Sequence, residues 1–281
     1  MRRSLWLFVV CAALLAYSVS GSIVAATQQG VPPAGPPAAG AAPGGPGAAQ
    51  GRGGRGPAGP AASATVPLPR DDARHKSFVE IAQKGNIDLL FVGDSITDLW
   101  RNAPRGGGTS GPLSGLAVWN ETFGKLNAAN FGISGDTTQG VLWRMQNGEL
   151  EGFKAKLIVL MLGTNNINRN PNDDIVEGDR LIVEEFKKRQ PQAKVLILGI
   201  FPRNAAADNP LRTAIKEINS KLAKLADNKQ IFYMDIGDKF LTADGTLTAE
   251  VMSDALHPTT MGYQIWADAT LPRVKELMGV K

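Results

Sequence analysis

The chain has 281 residues, of which 43% are hydrophobic, so it can form one large domain or two small ones with a real core. Its formal charge of +4 comes from residues 1–66, which hold four arginines and no Asp or Glu; the remainder carries 26 basic and 26 acidic side chains. Without an overall cationic field, nucleic acid is excluded as an expected partner. Cys11 is the only cysteine, which excludes an intrachain disulfide and a cysteine-ligated zinc site.

Residues 1–26 have the pattern of an export signal. Arg2 and Arg3 provide a positive start, an uncharged apolar run follows over 5–17, and small residues at 24–26 suit a cleavage site. The alternative is an uncleaved anchor formed by residues 5–26, although serines after residue 17 shorten the apolar span below about 20 residues. The sequence therefore predicts a periplasmic or extracellular protein, with membrane contact only through an uncleaved N-terminal segment.

Residues 27–66 consist almost entirely of Gly, Ala, Pro and Gln. Such a composition buries too little apolar surface to offset the entropy of ordering the chain. We therefore expect a disordered spacer over 27–66. From about residue 67 the composition changes to that of a globular protein, which predicts one domain over 67–281.

Within this domain, short apolar runs alternate with longer segments of helical periodicity. This alternation predicts a parallel sheet covered by helices on both faces. Functional sites in such sheets form at the carboxyl ends of the strands. The predicted strands cover 87–92, 128–131, 157–162, 195–200 and 231–234, and the predicted helices cover 137–146, 175–189, 211–227 and 260–278.

Three predicted strands end in residues that suit acyl transfer. The first runs into a Gly-Asp-Ser sequence, which would expose the hydroxyl of Ser95 at the sheet edge, although these residues could equally cap a helix. The second is followed by Gly132 and Gly135, which permit a turn whose backbone N–H faces an oxyanion. After the third comes Asn165, whose amide could donate to the same oxygen but which is also a common turn residue.

A serine nucleophile needs a base, and the chain has two histidines. His75 lies in a polar run before the first strand, so we expect a solvated helix residue. His257 follows Asp254 by three residues, a spacing that lets the carboxylate bind Nδ1–H and leaves Nε2 facing Ser95. The alternative is a surface turn before the last helix. Each of these signals is weak alone, but their combination in one order along the chain is specific.

The longest informative stretch is Asn-Phe-Gly-Ile-Ser-Gly-Asp-Thr-Thr-Gln at 130–139, and shorter ones lie at 141–144, 163–166, 189–193, 209–212 and 244–246. With these stretches the chain resembles the SGNH (GDSL) hydrolases, and most closely the catalytic subunits of intracellular platelet-activating-factor acetylhydrolase. The similarity runs from about residue 87 to the end. It implies a three-layer α/β/α, flavodoxin-like fold with a parallel five-stranded sheet, no metal and no organic cofactor.

The resemblance implies roles at the matching positions. Ser95 corresponds to the nucleophile, and Asp254 and His257 correspond to the rest of its triad. The backbone N–H groups of Ser95 and Gly135 and the amide of Asn165 correspond to the oxyanion hole. The implied reaction is ester hydrolysis through an acyl-enzyme.

The expected substrate is a short ester, such as an acetyl group on a carbohydrate. Ile96 and Leu256 flank the nucleophile and the base, so their branched side chains would favour a short acyl group unless both simply pack into the core. Thr164 is a third candidate substrate contact. Tryptophans that could form a sugar-stacking surface, the last of them equally suited to burial, are Trp100, Trp119 and Trp143.

Residues 101–115, rich in Gly and Pro, look like an insertion in the family's pattern and leave the substrate open. One alternative is a lysophospholipase or thioesterase, for which an exposed apolar rim is expected. Another is a carbohydrate-binding module that kept the fold without the chemistry, against which the full set of site residues weighs. The family has dimeric members, which suggests a homodimer.

Overall fold

One parallel sheet organises the part of the chain that the computed structural model describes, residues 62–101 and 115–280. Its strands are β1 (Leu89–Gly93), β2 (Ala128–Gly132), β3 (Leu157–Met161), β4 (Lys194–Leu198) and β5 (Ile231–Met234). Their order is β2-β1-β3-β4-β5, the flavodoxin-like doubly wound order, which confirms the predicted fold class. The predicted signal, most of the predicted spacer and most of the predicted insertion lie outside the described residues.

Helices cover both faces of this sheet. Within the described ranges, none is both long enough and apolar enough to cross a bilayer. The α-helices are α1 (Ala73–Gln83), α2 (Ser95–Asp98), α3 (Leu116–Glu121), α4 (Thr138–Gln146), α5 (Asn172–Arg189), α6 (Pro210–Leu222) and α7 (Thr260–Met278). Short 3₁₀ helices are formed by Phe123–Leu126, Ala223–Leu225 and Gly237–Phe240.

Alternate residues of the strands face two separate hydrophobic clusters. In β1, Leu90 and Val92 pack with residues of α1, α4, α5 and α6, whereas Leu89 and Phe91 pack with residues of α2, α3 and α7. Every residue of β1 and β3 is buried, as expected for parallel strands covered on both faces. The architecture is therefore three layers, with the carboxyl ends of the strands gathered at one edge.

The second cluster contains most of the tryptophans. Trp100 is fully buried, and its ring lies 4.9 Å from that of Trp266 and 5.9 Å from that of Trp119. Trp119 is also buried, so neither it nor Trp100 offers a face for a sugar, contrary to the prediction. Trp143 is half-buried, with its ring 5.0 Å from the imidazole of His75.

Local capping explains where α1 and α6 begin. α1 contains His75, which was expected to lie in a helix of unspecified bounds; it begins where the Asp72 carboxylate accepts from the backbone N–H groups of Arg74 and His75. α6 begins at Pro210 after the cap residue Asn209, one residue earlier than predicted. It gives way to a 3₁₀ turn after residue 222, so it is shorter than predicted. α7 has the predicted bounds.

Residues 62–66 belong by composition to the predicted spacer, but they pack on the domain. Ser63 Oγ donates to the Asp174 carboxylate at 2.9 Å, and the Ala64 N–H donates to the same group at 2.8 Å. Ala64 is fully buried, and its carbonyl accepts from Thr138 Oγ1 at 2.9 Å. Hydrogen bonds to α4 and α5 therefore offset the entropy of ordering this segment, a compensation that composition does not reveal.

Candidate active site

The hydroxyl of Ser95 lies at the carboxyl end of β1, where the strand turns into α2. Its Oγ is 2.8 Å from Nε2 of His257, a residue 162 positions later in the chain. Ser95 is largely buried but lines an open cavity of about 450 Å³. The hydroxyl is thus within hydrogen-bond reach of an imidazole and accessible from one side.

Asp254 orients the imidazole of His257 through a tight turn. Its Oδ2 is 2.6 Å from Nδ1 of His257, and its Oδ1 accepts from the backbone N–H groups of Leu256 and His257 at 3.0 and 2.7 Å. Ala255, inside the turn, has a left-handed φ of 55°. Residues 254–257 therefore form a compact unit in which one carboxylate holds both the backbone and the ring.

The charge of Asp254 defines which ring nitrogen carries the proton. Burial alone would raise the pKa of Asp254, but hydrogen bonds from the side chain and backbone of His257 lower it to about 2. An ionised carboxylate can only accept, so a neutral imidazole must carry its proton on Nδ1. Nε2 is then the acceptor for the hydroxyl proton of Ser95. A hydroxyl bonded to an oriented base is the arrangement of an activated nucleophile.

Two further hydrogen-bond donors border the same cavity. Gly135 is exposed and has a φ of 79°, a conformation that favours glycine. Asn165 lines the cavity and donates one amide hydrogen to the Asp136 carbonyl at 2.8 Å, which leaves its second amide hydrogen unused by that bond. All five residues predicted to be catalytic or to form the oxyanion hole line this cavity.

Two of the three predicted substrate contacts lie elsewhere. Leu256 lines the cavity, but Ile96 is 1% exposed and belongs to the core cluster on the α7 side of the sheet. Its carbonyl accepts from the hydroxyl of Tyr263 at 2.7 Å, which fixes this part of α2 against α7. Thr164 is also 1% exposed, and its carbonyl accepts from Arg203 at 3.3 Å. Neither Ile96 nor Thr164 is among the residues that line the cavity.

Leu99 and Ser134 line the cavity but were not among the predicted site residues. Leu99 is four positions after Ser95, and residues with this spacing share a helix face, so the pattern could have indicated it. Ser134 lies in the turn after β2, where its hydroxyl donates to the carboxylate of Asp98 at 2.7 Å. This contact between distant residues has no local sequence signal.

A buried carboxyl group, Asp94, stands directly before the nucleophile. Its Oδ1 accepts from the N–H of Ile96 at 3.0 Å, whereas its buried Oδ2 has no hydrogen-bond partner. Burial raises the pKa of Asp94 to about 7. Burial also raises the pKa of Asp179 on α5, and the nearby charge of Asp94 adds to this increase. The interior next to Ser95 therefore favours neutral acids.

His75 is buried, and the prediction of a solvated helix residue is wrong. Its Nδ1 is 2.8 Å from Oε1 of Glu149, which is itself fully buried. Glu149 also pairs with Arg144, and Arg144 Nε donates to the Asp136 carboxylate at 2.9 Å. Three of these side chains lie within residues 136–149, on or beside α4, but His75 comes from α1, and its contact with Glu149 has no local sequence signal. In the ranges 62–101 and 115–280, no cluster of His, Cys, Asp and Glu is arranged to hold a metal ion.

The chain is similar in sequence to known acylhydrolases. Residues 91–265 match the family model described as GDSL-like lipase/acylhydrolase. The chain is 40% identical over 195 residues to platelet-activating factor acetylhydrolase IB subunit alpha2 of Homo sapiens, a match that covers 68% of this chain and 77% of the relative. It is 34% identical over 209 residues to the alpha1 subunit of Bos taurus, covering 71% of this chain and 84% of the relative.

Solved structures share the fold at lower identity. A GDSL-like lipase from Bacteroides thetaiotaomicron superposes with a TM-score of 0.53 at 21% identity, covering 73% of this chain and 97% of the other. An acetylxylan esterase from Geobacillus stearothermophilus superposes with a TM-score of 0.52 at 21% identity, covering 70% of this chain and 96% of the other. At this low sequence identity, the similarity shows a shared fold and no more.

Proposed function

Because the chain belongs to the GDSL-like lipase/acylhydrolase family, we propose that it is a serine esterase that hydrolyses acetyl and other short-chain esters. One observation carries the proposal. The hydroxyl of Ser95, the imidazole of His257 and the carboxylate of Asp254 are hydrogen-bonded in sequence at the wall of a cavity that Gly135 and Asn165 also line.

In this mechanism, Ser95 Oγ attacks the ester carbonyl carbon while Nε2 of His257 takes the hydroxyl proton. The Asp254 carboxylate stabilises the imidazolium that forms. The oxyanion of the tetrahedral intermediate accepts from the N–H groups of Ser95 and Gly135 and from the amide of Asn165. His257 then protonates the leaving alcohol, and water releases the acyl group by the reverse sequence.

The acetyl preference rests on the relatives and on the cavity wall. The curated relatives at 34–40% identity are named acetylhydrolases. Among the residues that the structure describes, the apolar side chains on the cavity wall are Leu99 and Leu256, beside the nucleophile and the base. Two branched side chains at these positions favour a compact acyl group. Leu256 keeps the role expected of it in limiting acyl length, and Leu99 takes the place of Ile96, which does not line the cavity.

An O-acetylated carbohydrate is the proposed natural substrate class. One structural neighbour is named an acetylxylan esterase, and an exported protein meets envelope polysaccharides. Export is proposed from the charge and hydropathy pattern of residues 1–26 alone. Expression in a bacterial host followed by N-terminal sequencing of the secreted or periplasmic protein tests it. A mature chain that begins near residue 27 supports cleavage, whereas a chain retaining residues 1–26 in the membrane fraction contradicts it.

The activity is tested with 4-nitrophenyl esters and a fluorophosphonate probe on the wild type and on Ser95→Ala. We expect rapid acetate hydrolysis and covalent labelling, both lost in Ser95→Ala. A wild-type protein that is folded but neither hydrolyses the ester nor takes the label would support the non-catalytic binding module. Octanoate turnover equal to or faster than acetate turnover would reject the short-acyl preference and favour a lipase or thioesterase.

A further inference from the structure

The guanidinium of Arg144 forms hydrogen bonds with both ends of the turn that carries Gly135. Arg144 is fully buried; its Nη2 donates to the carbonyl of Phe131 at 3.1 Å, and its Nε donates to Oδ2 of Asp136 at 2.9 Å. Its Nη1 forms an ion pair with the carboxylate of Glu149. Phe131 and Asp136 flank residues 132–135, which include Gly135. The planar guanidinium of Arg144 therefore spans this turn from one end to the other.

Asp136 also reaches the second oxyanion loop. Its backbone carbonyl accepts the amide hydrogen of Asn165 at 2.8 Å, while its carboxylate accepts from the N–H of Thr137 at 3.1 Å. The side chain of Asp136 is thus held by Arg144, and its main chain holds Asn165. One buried residue connects the two loops that supply donors other than Ser95.

We propose that Asp136, clamped by Arg144, is the positioning residue of the oxyanion hole. It sets the direction of the Gly135 N–H and of the Asn165 amide without touching the substrate. This inference rests on the proposed esterase function. Donors in such sites work because they are fixed before charge develops, so a small displacement costs much of their effect.

The buried ion pairs of Arg144 are better explained by a positioning role of Asp136 than by a contribution to stability alone. The ion pairs of Arg144 with Asp136 and Glu149 are almost completely excluded from water, with side-chain exposures of 0–1%. A buried ion pair gains little over a well-packed apolar pair of similar volume, because both charges lose their hydration. What the pair provides beyond an apolar contact is a fixed direction for each hydrogen bond.

Gly140 offers a way to move Asp136 without changing any charge. A Cβ at position 140 would lie 2.1 Å from Oδ1 of Asp136, so the carboxylate would have to leave its place between Thr137 and Arg144. Gly140 lies inside α4, where alanine is intrinsically more favourable than glycine. Gly140→Ala therefore displaces the carboxylate while favouring the local helix.

The test compares Asp136→Asn, Gly140→Ala and Asn165→Ala, each checked for folding by circular dichroism. Asn165→Ala should lower kcat about 10²–10³-fold, as for other oxyanion donors. We expect both Asp136→Asn and Gly140→Ala to lower kcat by roughly 10–100-fold with KM changed less than about twofold, because these contacts strengthen only in the transition state.

A double-mutant cycle separates positioning from general damage. In the Asn165→Ala background, Asp136→Asn should cost about tenfold less than it does in the wild type, because one donor that it positions is already gone. Full additivity of the two losses, or wild-type kcat in either folded variant, would overturn the inference. Glu177→Gln, which removes a surface ion pair on α5, serves as the control and should leave kcat unchanged.

Failure of the inference can be told from failure of the proposed function. If Ser95→Ala and Asn165→Ala have wild-type activity, the proposed esterase site is itself wrong. If both abolish or strongly reduce turnover while Asp136→Asn and Gly140→Ala remain fully active, only the positioning role of Asp136 is wrong.

Discussion

The two halves of the candidate active site are built in different ways. The base half, residues 254–257, is held by hydrogen bonds within four consecutive residues, and the side chain of Asp254 is 45% exposed. The oxyanion half, which comprises 131–137 and 163–166, is held instead by two buried side chains, Asp136 in the turn after β2 and Arg144 on α4. A proton relay needs one well-made local turn, whereas charge stabilisation needs donors that cannot relax, and burial provides that rigidity.

Loss of the imidazole should have the largest effect on catalysis and little effect on the fold. His257→Ala is expected to lower kcat on the order of 10⁶-fold, as for triad residues that act as a unit. The free energy of unfolding should change by less than about 1 kcal/mol, because the ring lies at the surface with 20% exposure. Kinetics with 4-nitrophenyl acetate and urea unfolding measure both. Ser95→Ala added to His257→Ala should cost little more; a multiplicative loss would show that the two residues act independently.

Replacing the carboxylate of the base half should impair activity without impairing stability. Asp254→Asn is expected to lower kcat about 10⁴-fold, because an amide no longer selects the Nδ1–H tautomer of His257. Since Asp254 is exposed, unfolding in urea should remain within about 1 kcal/mol of the wild type. A strongly destabilised Asp254→Asn would contradict the view that this half is locally held.

An Asp→Asn substitution in the oxyanion half should instead reduce stability more and kcat less. Asp136→Asn is expected to destabilise the protein by about 3–5 kcal/mol, because it removes one partner of a buried ion pair and leaves Arg144 undercompensated. Its effect on kcat is expected to be smaller than that of Asp254→Asn. Urea midpoints of the two variants side by side measure the contrast; equal midpoints would remove the distinction between the halves.

Between the halves, Asp94 should give the fold a pH dependence. Below pH 3.8 it is protonated in both states; between about pH 4 and 7 only the folded state keeps the proton, because burial raises the pKa of Asp94 from 3.8 to about 7. Its contribution to stability therefore falls with rising pH in this window, by on the order of 4 kcal/mol, and is constant above it. Relative to Asp94→Asn, the wild type should lose stability from pH 4 to 7. A pH-independent difference between their urea midpoints would refute this.

The smallest effect concerns residues 62–66, which pack on α4 and α5 outside both halves. Ser63→Ala removes a hydrogen bond to the Asp174 carboxylate and should cost about 1 kcal/mol of unfolding free energy. Because Ala64 keeps its bonds to Asp174 and Thr138, kcat should stay within about twofold of the wild type. Urea unfolding and acetate kinetics check both. An unchanged midpoint would mean that the hydrogen bond of Ser63 contributes nothing to stability.

Local patterns predicted much of the fold and the base half of the site. All five predicted strands occur with ends shifted by at most two residues, because buried parallel strands are short, continuous apolar runs. The turn of Asp254 and His257 was predicted from a spacing of three residues, and its geometry depends on little else. Ile96 shows the limit of such proximity: it adjoins Ser95 in sequence, yet its side chain packs on the α7 side of the sheet, away from the cavity.

By itself, the sequence determined the order of strands and helices and the chemical identities of the hydroxyl, imidazole, carboxylate and amide at the strand ends. Only the tertiary structure decided that His75 is buried against Glu149, that Trp100 and Trp119 pack in the core, and that Arg144 hydrogen-bonds to both ends of the turn of Gly135. Spacing along the chain controls contacts within a turn or a helix. Contacts between charged groups from separate elements depend on how those elements pack, and that packing is a property of the whole fold.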